Sequence, residues 1–399
     1  MRAGKVRYTG ATFHSDVTTA GAFEGAEYAV FQGDTASGVP RILMPTGSQL
    51  ARLKTRAGPG HLALNGSTSG TLSQAGMRIH LLSRTIAGEQ VGFLRVYRNA
   101  DASWVTGDVP AGGMLTATNC GHFHADAKFY SHAYPHPDST SRQLSALKSS
   151  SRRCYLGGAD SIWKGTFTTP DPRGGTWDVF PGTVHPAVAS QPDAAYLFPL
   201  DRRYNPGFRG IVHVEGKAVV SGTVRGRLTI AASGNIIIGD DIRYATDPGS
   251  GSCTDMLGLF SGGQIIIADN MLNSPQVPAS GEAWYTYDDT RDETIHASLL
   301  ALDRITVENY ASGSTYAEPC GTQTWGRGCL FVNGGLIQAT RGIVSMSNGT
   351  GYVKRYTHDA CGLTDPPPYF PSTGHFWRSR YYEMDPTGFD VAAYFRALN

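Results

Sequence analysis

A cluster of metal-binding residue types lies between residues 120 and 136. Four of the twelve histidines of the chain fall within fifteen positions there. His122 and His124 are two residues apart, so on a strand they would share a face and could bind one transition-metal ion. His132 or His136 would complete that site, with Cys120 next to it. The alternative is a solvated loop anchored by aromatic residues, which we take as the default interpretation.

A second group of residues combines carboxylates with aromatic rings. The carboxylates are Asp288, Asp289, Asp292 and Glu293. The aromatic residues directly before them are Trp284, Tyr285 and Tyr287. Paired carboxylates could catalyse glycoside hydrolysis, a clustered set could bind Ca²⁺, and flat rings beside acids could hold a sugar. The competing interpretation is an acidic, solvated loop tethered by its aromatic side chains.

A third acidic group follows a strongly apolar run. Asp240 and Asp241 come after Gly239, and Asp255 and Asp269 occupy comparable corners. Acids on neighbouring coils of a β-helix could line a catalytic groove. Aspartates at corners also stabilise turns by accepting hydrogen bonds from nearby backbone N–H groups. We favour the turn interpretation for these residues.

The cysteines predict an exported protein. Their number is even and none shows Cys-x-x-Cys spacing, so disulfides are favoured over a zinc or thiol redox site. We expect Cys320 to pair with Cys329 across a short glycine-containing loop, and we leave the other pairings open. The remaining cysteines are Cys120, Cys154, Cys253 and Cys361. Because no export signal is recognisable, we expect the chain to be a processed or truncated form.

Composition excludes several classes of protein. The net charge is +1, so no global field attracts nucleic acid. No apolar run is long enough to span a membrane. The 49 glycines and the 17% content of charged residues favour strands and loops over helices. The sequence requires no cofactor, and Ca²⁺ or a transition metal would enter only at the groups described above.

Regularly spaced apolar residues must position these groups. From residue 211 to 270, apolar pairs start eight residues apart and are separated by glycines; the clearest are Leu228/Ile230, Ile236/Ile238, Leu257/Leu259 and Ile265/Ile267. The two residues of a pair point to one side of a strand. Equal intervals with glycine corners predict an all-β fold, a right-handed parallel β-helix (β-solenoid) with loop insertions. An antiparallel β-sandwich is the second choice.

The chain divides into four predicted regions. They are a β-rich segment of the solenoid (1–60), an irregular insertion or subdomain (61–205), the solenoid core (206–361) and a tail rich in proline and aromatic residues (362–399). We predict a helix from Gly47 to Arg56 with Ser48 as its N-cap. Insertions are predicted at 247–254 and 271–294. The tail could cap the solenoid or dock on a neighbouring subunit.

Several segments together resemble a family of uncharacterised bacterial envelope and surface proteins. The residues that carry the resemblance are GTVRGRLTIAASGNIIIGDDIRYA (222–245), DMLGLFSGGQIIIADN (255–270), IHASLLALD (295–303), GGLIQATRGIVSMSNGTGYVKRYTHD (334–359) and DPPPYFP (365–371). Members of this family often place such a β-rich region behind a pilin-like N-terminal helix. The resemblance implies a compartment and a fold, and it implies no reaction.

These observations lead to one functional expectation and two rivals. We expect an extracellular or cell-surface structural or adhesive protein that associates with itself or with other filament subunits. The first rival is a polysaccharide lyase or glycoside hydrolase on the same scaffold. The second is a carbohydrate-binding protein without turnover.

Overall fold

The structure is a computed structural model of the chain. It describes residues 5–7, 12–14, 16–40, 43–98, 106–109, 152–155, 176–191, 193–268, 283–285, 292–308, 310–311, 320–323, 326 and 328–371. For residues 5–7, 106–109, 152–155 and 283–285 it describes the backbone alone. The chain divides into two compact units, residues 1–43 with 371–399, and residues 44–370.

Strands predominate over helices, and the sheets are parallel or mixed. The α-helices in the described ranges are α1 (Gly47–Ala57) and α2 (Cys361–Thr364). In chain order the strands are β1 (Lys5–Arg7), β2 (Thr12–Phe13), β3 (Val17–Thr19), β4 (Ala22–Glu24), β5 (Val30–Phe31), β6 (Thr35–Ser37), β7 (Ala63–Asn65), β8 (Met77–Ile86), β9 (Glu89–Arg98), β10 (Thr106–Val109), β11 (Arg152–Tyr155), β12 (Thr176–Trp177), β13 (Phe198–Pro199), β14 (Ile211–Glu215), β15 (Ala218–Val224), β16 (Arg227–Ala232), β17 (Ile236–Tyr244), β18 (Met256–Ser261), β19 (Ile265–Ile267), β20 (Ala283–Tyr285), β21 (Glu293–His296), β22 (Ser298–Ala301), β23 (Ile305–Val307), β24 (Cys329–Asn333), β25 (Leu336–Gln338) and β26 (Val353–Thr357). No helix in these ranges is both long enough and apolar enough to cross a membrane.

The smaller unit contains three short parallel pairs, β1 with β4, β2 with β5 and β3 with β6. Thr12 lies opposite Val30, so the chain returns to a neighbouring position of the same ladder after one short pass. The rings of Phe13 and Phe31 stack with their centroids 5.4 Å apart. Apolar contact between successive passes of the chain thus accompanies the pairing.

The larger unit contains a six-stranded sheet with the order β25-β22-β18-β16-β14-β7. Its neighbouring strands are parallel and in register. One column of aliphatic side chains crosses five of these strands: Val212, Ile230, Leu259, Leu299 and Leu336. These parallel ladders do not fit an antiparallel sandwich.

An eleven-stranded sheet faces the same core. Its main path is β12-β9-β8-β15-β17-β21-β24-β26, with β13 pairing β9 and with β19 and β23 extending from β17. Two further columns of buried aliphatic residues cross it: Val220, Ile238, Ile267 and Val307, and then Ile242, Ile295 and Val332. From β14 to β19 the chain alternates between the two sheets, so apolar pairs two residues apart come to lie in one core.

Helix α1 packs on the six-stranded sheet through Leu50 and Leu53, which are both buried. The sequence predicts Ser48 as its N-cap, and this is wrong because the N-cap is Thr46. The Thr46 backbone N–H donates to the Gln49 side chain at 3.0 Å. Gln49 is therefore the residue three positions into the helix that completes a capping box.

The proline-rich segment of residues 365–370, here called the strap, lies on the same sheet. Asp365 pairs with Arg227 at 2.7 Å, and the Thr229 hydroxyl donates to the Pro368 carbonyl at 2.5 Å. The Arg56 guanidinium lies 4.5 Å from the centre of the Tyr369 ring. The strap belongs to no helix or strand, as the proline run predicts, but it is not extended throughout. The Phe370 backbone N–H donates to the Pro367 carbonyl at 3.1 Å across a turn in which Tyr369 has a φ of +54°.

An antiparallel hairpin of β8 and β9, here called the capping hairpin, closes one edge of the larger sheet. Strand β8 pairs β15 in parallel, whereas β9 pairs β8 in the antiparallel direction. Short strands β12 and β13 then pair with β9. The sequence assigns residues 77–98 to an irregular region, but they extend the main sheet. Covering an edge in this way removes a site for uncontrolled strand pairing.

Close approach between strands explains the glycine at position 222. Its φ is +112°, which side chains rarely adopt, and a Cβ atom there would collide with the Leu81 carbonyl. We expect Gly222→Ala to lower the free energy of unfolding by about 2 kcal/mol. Chemical denaturation of both proteins measures this change.

Gly335→Ala is the matched control, since the nearest heavy atom to its added Cβ is the Ser298 Oγ at 3.9 Å. An equal loss of stability in the two variants would contradict the steric explanation.

Candidate functional site

Three acidic side chains meet inside the larger unit. Asp240, Asp241 and Glu293 are 0%, 2% and 2% exposed, and their ligand oxygens lie within 4.8 Å of one another. Asp240 and Asp241 belong to β17, and Glu293 begins β21, the next strand of the ladder. The sequence places Glu293 in a loop insertion, which is wrong because it starts a strand.

An irregularity in strand pairing creates this cluster. Val220 lies opposite Ile238, but Gly222 lies opposite Ile242. Ser221 on β15 therefore faces the three residues 239–241 of β17, as in an enlarged β-bulge. Bulges change the direction of side chains. Here the bulge lets β17, which is otherwise mostly aliphatic, accommodate the carboxylates of Asp240 and Asp241.

Hydrogen bonds fix the two aspartates. The Asp241 backbone N–H donates to Asp240 Oδ1 at 2.6 Å, and the Thr294 backbone N–H donates to Asp241 Oδ1 at 2.7 Å. These are the backbone contacts expected of aspartates that stabilise a turn. The second contact also links β17 to β21, so the acid joins two passes of the chain.

Two arginines compensate the buried negative charge. Arg243 pairs with Asp241 at 2.8 Å and reaches towards solvent. Arg78 is buried, and its guanidinium donates to the Ser221 hydroxyl at 3.1 Å and to the Gly239 carbonyl at 3.2 Å. Burial lowers the pKa of Arg78, while the nearby Asp240 carboxylate opposes that shift. The bulge therefore contains a compact network of both charges.

The cluster has the donor set of a hard cation site. Carboxylate oxygens are the ligands that Ca²⁺ and Mg²⁺ prefer, and one ion could bridge oxygens at this spacing. The same carboxylates are already balanced in part by Arg78 and Arg243. A cation is therefore not needed to explain how the charges are buried. Catalysis would need access for substrate, and these three side chains are buried.

A second buried polar group lies on the capping hairpin. Arg95 is fully buried, lies 3.3 Å from Asp193 and contacts His80 Nδ1 at 3.0 Å. Its guanidinium also lies 4.9 Å from the centre of the Trp177 ring. Burial lowers the pKa of Arg95 to about 10 against the opposing effect of Asp193.

Sequence reasoning missed Arg78, His80 and Arg95. A usable signal was present, because Arg78 and His80 alternate with apolar residues in a strand, and Arg95 lies within an apolar run. When both faces of a sheet are buried, charged residues in its strands indicate that one face carries polar side chains covered by another part of the chain.

Two other predicted acids are structural. Asp292 Oδ1 accepts a hydrogen bond from the Cys329 backbone N–H at 2.6 Å. Asp255 accepts from the backbone N–H groups of Gly226 at 2.7 Å and Thr246 at 2.8 Å. These contacts agree with the turn interpretation for Asp255.

Several predicted site residues lie outside the described part of the chain. These are His122, His124, His132, His136, Cys120, Asp269, Asp288, Asp289 and Tyr287. Trp284 and Tyr285 lie on β20 and Cys154 lies on β11, and only the backbone of these strands is described. The histidine metal site and the aromatic glycan strip therefore stay predictions.

Two disulfides are present among the described residues. Cys320 pairs with Cys329, as the short loop between them predicts, and Cys253 pairs with Cys361 across a separation of 108 residues. The second bond connects the loop between β17 and β18 to α2, just before the strap. Disulfides persist in non-reducing environments.

Comparisons with known proteins find no match to the sequence among family models or curated proteins, nor to the fold among solved structures. The function must therefore be inferred from the residues described here.

Removing one buried cation tests the charge network. We expect Arg78→Met to lower the free energy of unfolding by about 3–5 kcal/mol, because it removes the buried cation beside the Asp240 carboxylate, and Arg243 pairs with Asp241 instead. Denaturant unfolding measures the loss. Arg304→Met is the control, because Arg304 pairs with Asp303 at the surface and should change stability by no more than about 1 kcal/mol. Equal, small effects would contradict the assigned role of Arg78.

His296 should make stability depend on pH. Its Nδ1 accepts from the Tyr244 backbone N–H at 3.0 Å, and burial together with nearby Arg243 lowers its pKa. The unfolded chain then binds this proton more readily, so stability should fall as the pH drops below about 6.5.

His296→Asn keeps an acceptor that does not titrate, so the fall between pH 7 and 5 should become smaller. Exposed His358→Asn is the control. Unfolding curves at both pH values measure the difference, and an unchanged pH dependence in His296→Asn would refute this assignment.

Proposed function

We propose that this chain is a secreted or surface-exposed scaffold protein built on a right-handed parallel β-helix. The support is the repeated return of the chain to the same ladder. Ile211 lies opposite Thr229, and the interval between them in the sequence equals that between Thr12 and Val30 in the smaller unit. Parallel strands joined by a crossover are right-handed in about 98% of cases, which supports the proposed hand.

Loop insertions fit this proposal. Ala218, Ile236, Ile265 and Ile305 occupy successive positions of one column. The stretch of chain from Ile236 to Ile265 is longer than that from Ala218 to Ile236, and the stretch from Ile265 to Ile305 is longer again. Residues are thus added at the corners without disturbing the core. A stack of coils tolerates this because each coil needs only its neighbours.

The inserted segments also pair with each other. Strand β20, in the segment between β19 and β21, pairs in parallel with β11, which lies between β9 and β12. Strand β11 in turn pairs with β10. We propose that the coil is a rigid support and that these inserts form the functional surface.

The observation that carries a structural role is the burial of Asp240, Asp241 and Glu293 with arginine partners. A β-helix enzyme would present its acids in a groove open to substrate. In this chain the best acidic cluster among the described residues holds two passes of the chain together. The disulfides support a location outside the reducing cytosol.

The capping hairpin constrains how copies could assemble. Strands β9, β12 and β13 cover the edge of β8. A filament in which one copy adds a strand to that edge of the next copy is therefore disfavoured. We propose that any filament or oligomer forms through other surfaces of the scaffold.

Electron microscopy and sedimentation of the oxidised full chain, over a wide range of concentrations, test this proposal. We expect a defined oligomer or filament and no cleavage of uronic-acid polysaccharides. Cleavage that Asp240→Asn abolishes, while partly exposed Asp303→Asn does not, would replace the scaffold by an enzyme. Monomers at every concentration would overturn the assembly part of the proposal.

A further inference from the structure

The eleven-stranded sheet has one covered edge and one open edge. Strands β9, β12 and β13 cover the edge of β8, whereas β26 ends the path of strands on the other side. In the part of the chain that the structure describes, β24 is the only strand that pairs with β26. The free edge of β26 can therefore accept a further strand.

Backbone hydrogen bonds identify the residues of β26 that point to this free edge. The Val353 N–H donates at 3.0 Å to the carbonyl of Gly328, which directly precedes β24. Because the backbone groups of successive residues point to opposite edges of a strand, those of Lys354 and Tyr356 point away from β24. Among the described residues these groups have one partner, since the Lys354 carbonyl accepts from the Arg355 side chain at 3.2 Å.

Cationic side chains flank the free edge on both faces of the sheet. Lys354 and Tyr356 share one face of β26, and Arg355 lies on the other. Lys354 is half-buried, Arg355 is exposed and Tyr356 is 42% exposed. Neither cation pairs with a carboxylate of the described residues. A strand added at this edge would meet positive charge on each of its faces.

The charge around the edge favours an acidic partner. Residues 319–358, which include β24, β25 and β26, contain four basic residues and no aspartate or glutamate. Burial lowers the pKa of Lys354, so a carboxylate beside it would stabilise the charged form. A second copy paired through the same edge would instead bring the Lys354 and Arg355 side chains of both copies together. Like charges across a strand pair are destabilising.

We propose that the free edge of β26 binds an acidic, extended peptide segment of another protein as an added strand. The backbone groups of Lys354 and Tyr356 form the ladder, which is the usual source of affinity in strand addition. Two consecutive acidic residues of the peptide pair with Lys354 on one face and with Arg355 on the other. An apolar side chain next to them packs on the Tyr356 ring.

Fluorescence anisotropy with labelled, end-capped hexapeptides tests the proposal on the full, oxidised chain. The probe is Thr-Val-Glu-Glu-Val-Thr, and its two controls replace both glutamates by glutamine or by lysine. We expect the acidic peptide to bind more tightly than either control, with an affinity that falls as salt is added.

N-methylation of the acidic peptide tests whether it binds as a strand. Methylating the amide nitrogens of every second residue removes the donors along one edge of the peptide, and methylating the alternate set removes those along the other edge. An added strand uses one edge only, so one methylated peptide should lose binding and the other should keep it.

Charge reversal locates the site on the protein. K354E/R355E should weaken binding of the acidic peptide by about tenfold or more and should favour the lysine peptide, because each charge contact is inverted. The matched control is R52E/R202E, which reverses two exposed cations elsewhere on the same unit. Melting temperatures verify that each variant is folded.

A backbone variant separates hydrogen bonding from side-chain contact. Tyr356→Pro removes a donor that points to the free edge and that the ladder with β24 does not use. It should lose more binding than Tyr356→Ala, which removes the ring alone.

Four results would overturn the proposal: no binding of the acidic peptide, equal binding of the acidic and glutamine peptides, equal binding of the two methylated peptides, or equal losses in the two charge-reversal variants. An oligomer of the full chain that K354E/R355E alone dissociates would also overturn it, because the occupant of the edge would then be a second copy. The proposed scaffold does not depend on peptide binding, because assembly is measured without peptide.

Discussion

The stacking of parallel strands in register is the constraint on which this structure depends. Each inward side chain must fit between a residue on the preceding strand and one on the next, as Ile238 does between Val220 and Ile267. Burying one such side chain contributes about 1.5–3 kcal/mol, so the columns supply much of the stability. Corners, loops and caps are free to vary only where they leave the columns intact.

The bulge at residues 239–241 shows how charge is accommodated under that constraint. Carboxylates in an aliphatic column would be costly, so the strand departs from its register and brings them to backbone donors and to two arginines. Breaking such a network is expensive even where forming it adds little stability. The network therefore specifies how β17 and β21 align more than it strengthens the fold.

The apolar pairs between residues 211 and 267 were predictable because residues two positions apart on a strand point to the same face of the sheet. This holds whichever strands lie beside it. The meeting of Asp241 with Thr294, 53 residues apart, was not predictable, because insertions change the number of residues between neighbouring strands. The glycine at position 262 was not explained by the sequence either. Its φ is not positive, and a side chain there would collide with the Ser233 carbonyl. Composition indicates a corner there, but only the neighbouring strand explains the glycine.

The bond between Cys253 and Cys361 has a mechanical consequence. Strands β18 to β26 all lie within the closed loop of 108 residues that it creates. If the two ends of the chain are pulled apart, the load crosses from Cys253 to Cys361 through the covalent bond, and these strands cannot add to the extension. Only the strands before Cys253, the strap and the residues beyond it can be stretched. Under tension, the strands inside this loop bear no load, whereas the strands before Cys253 do.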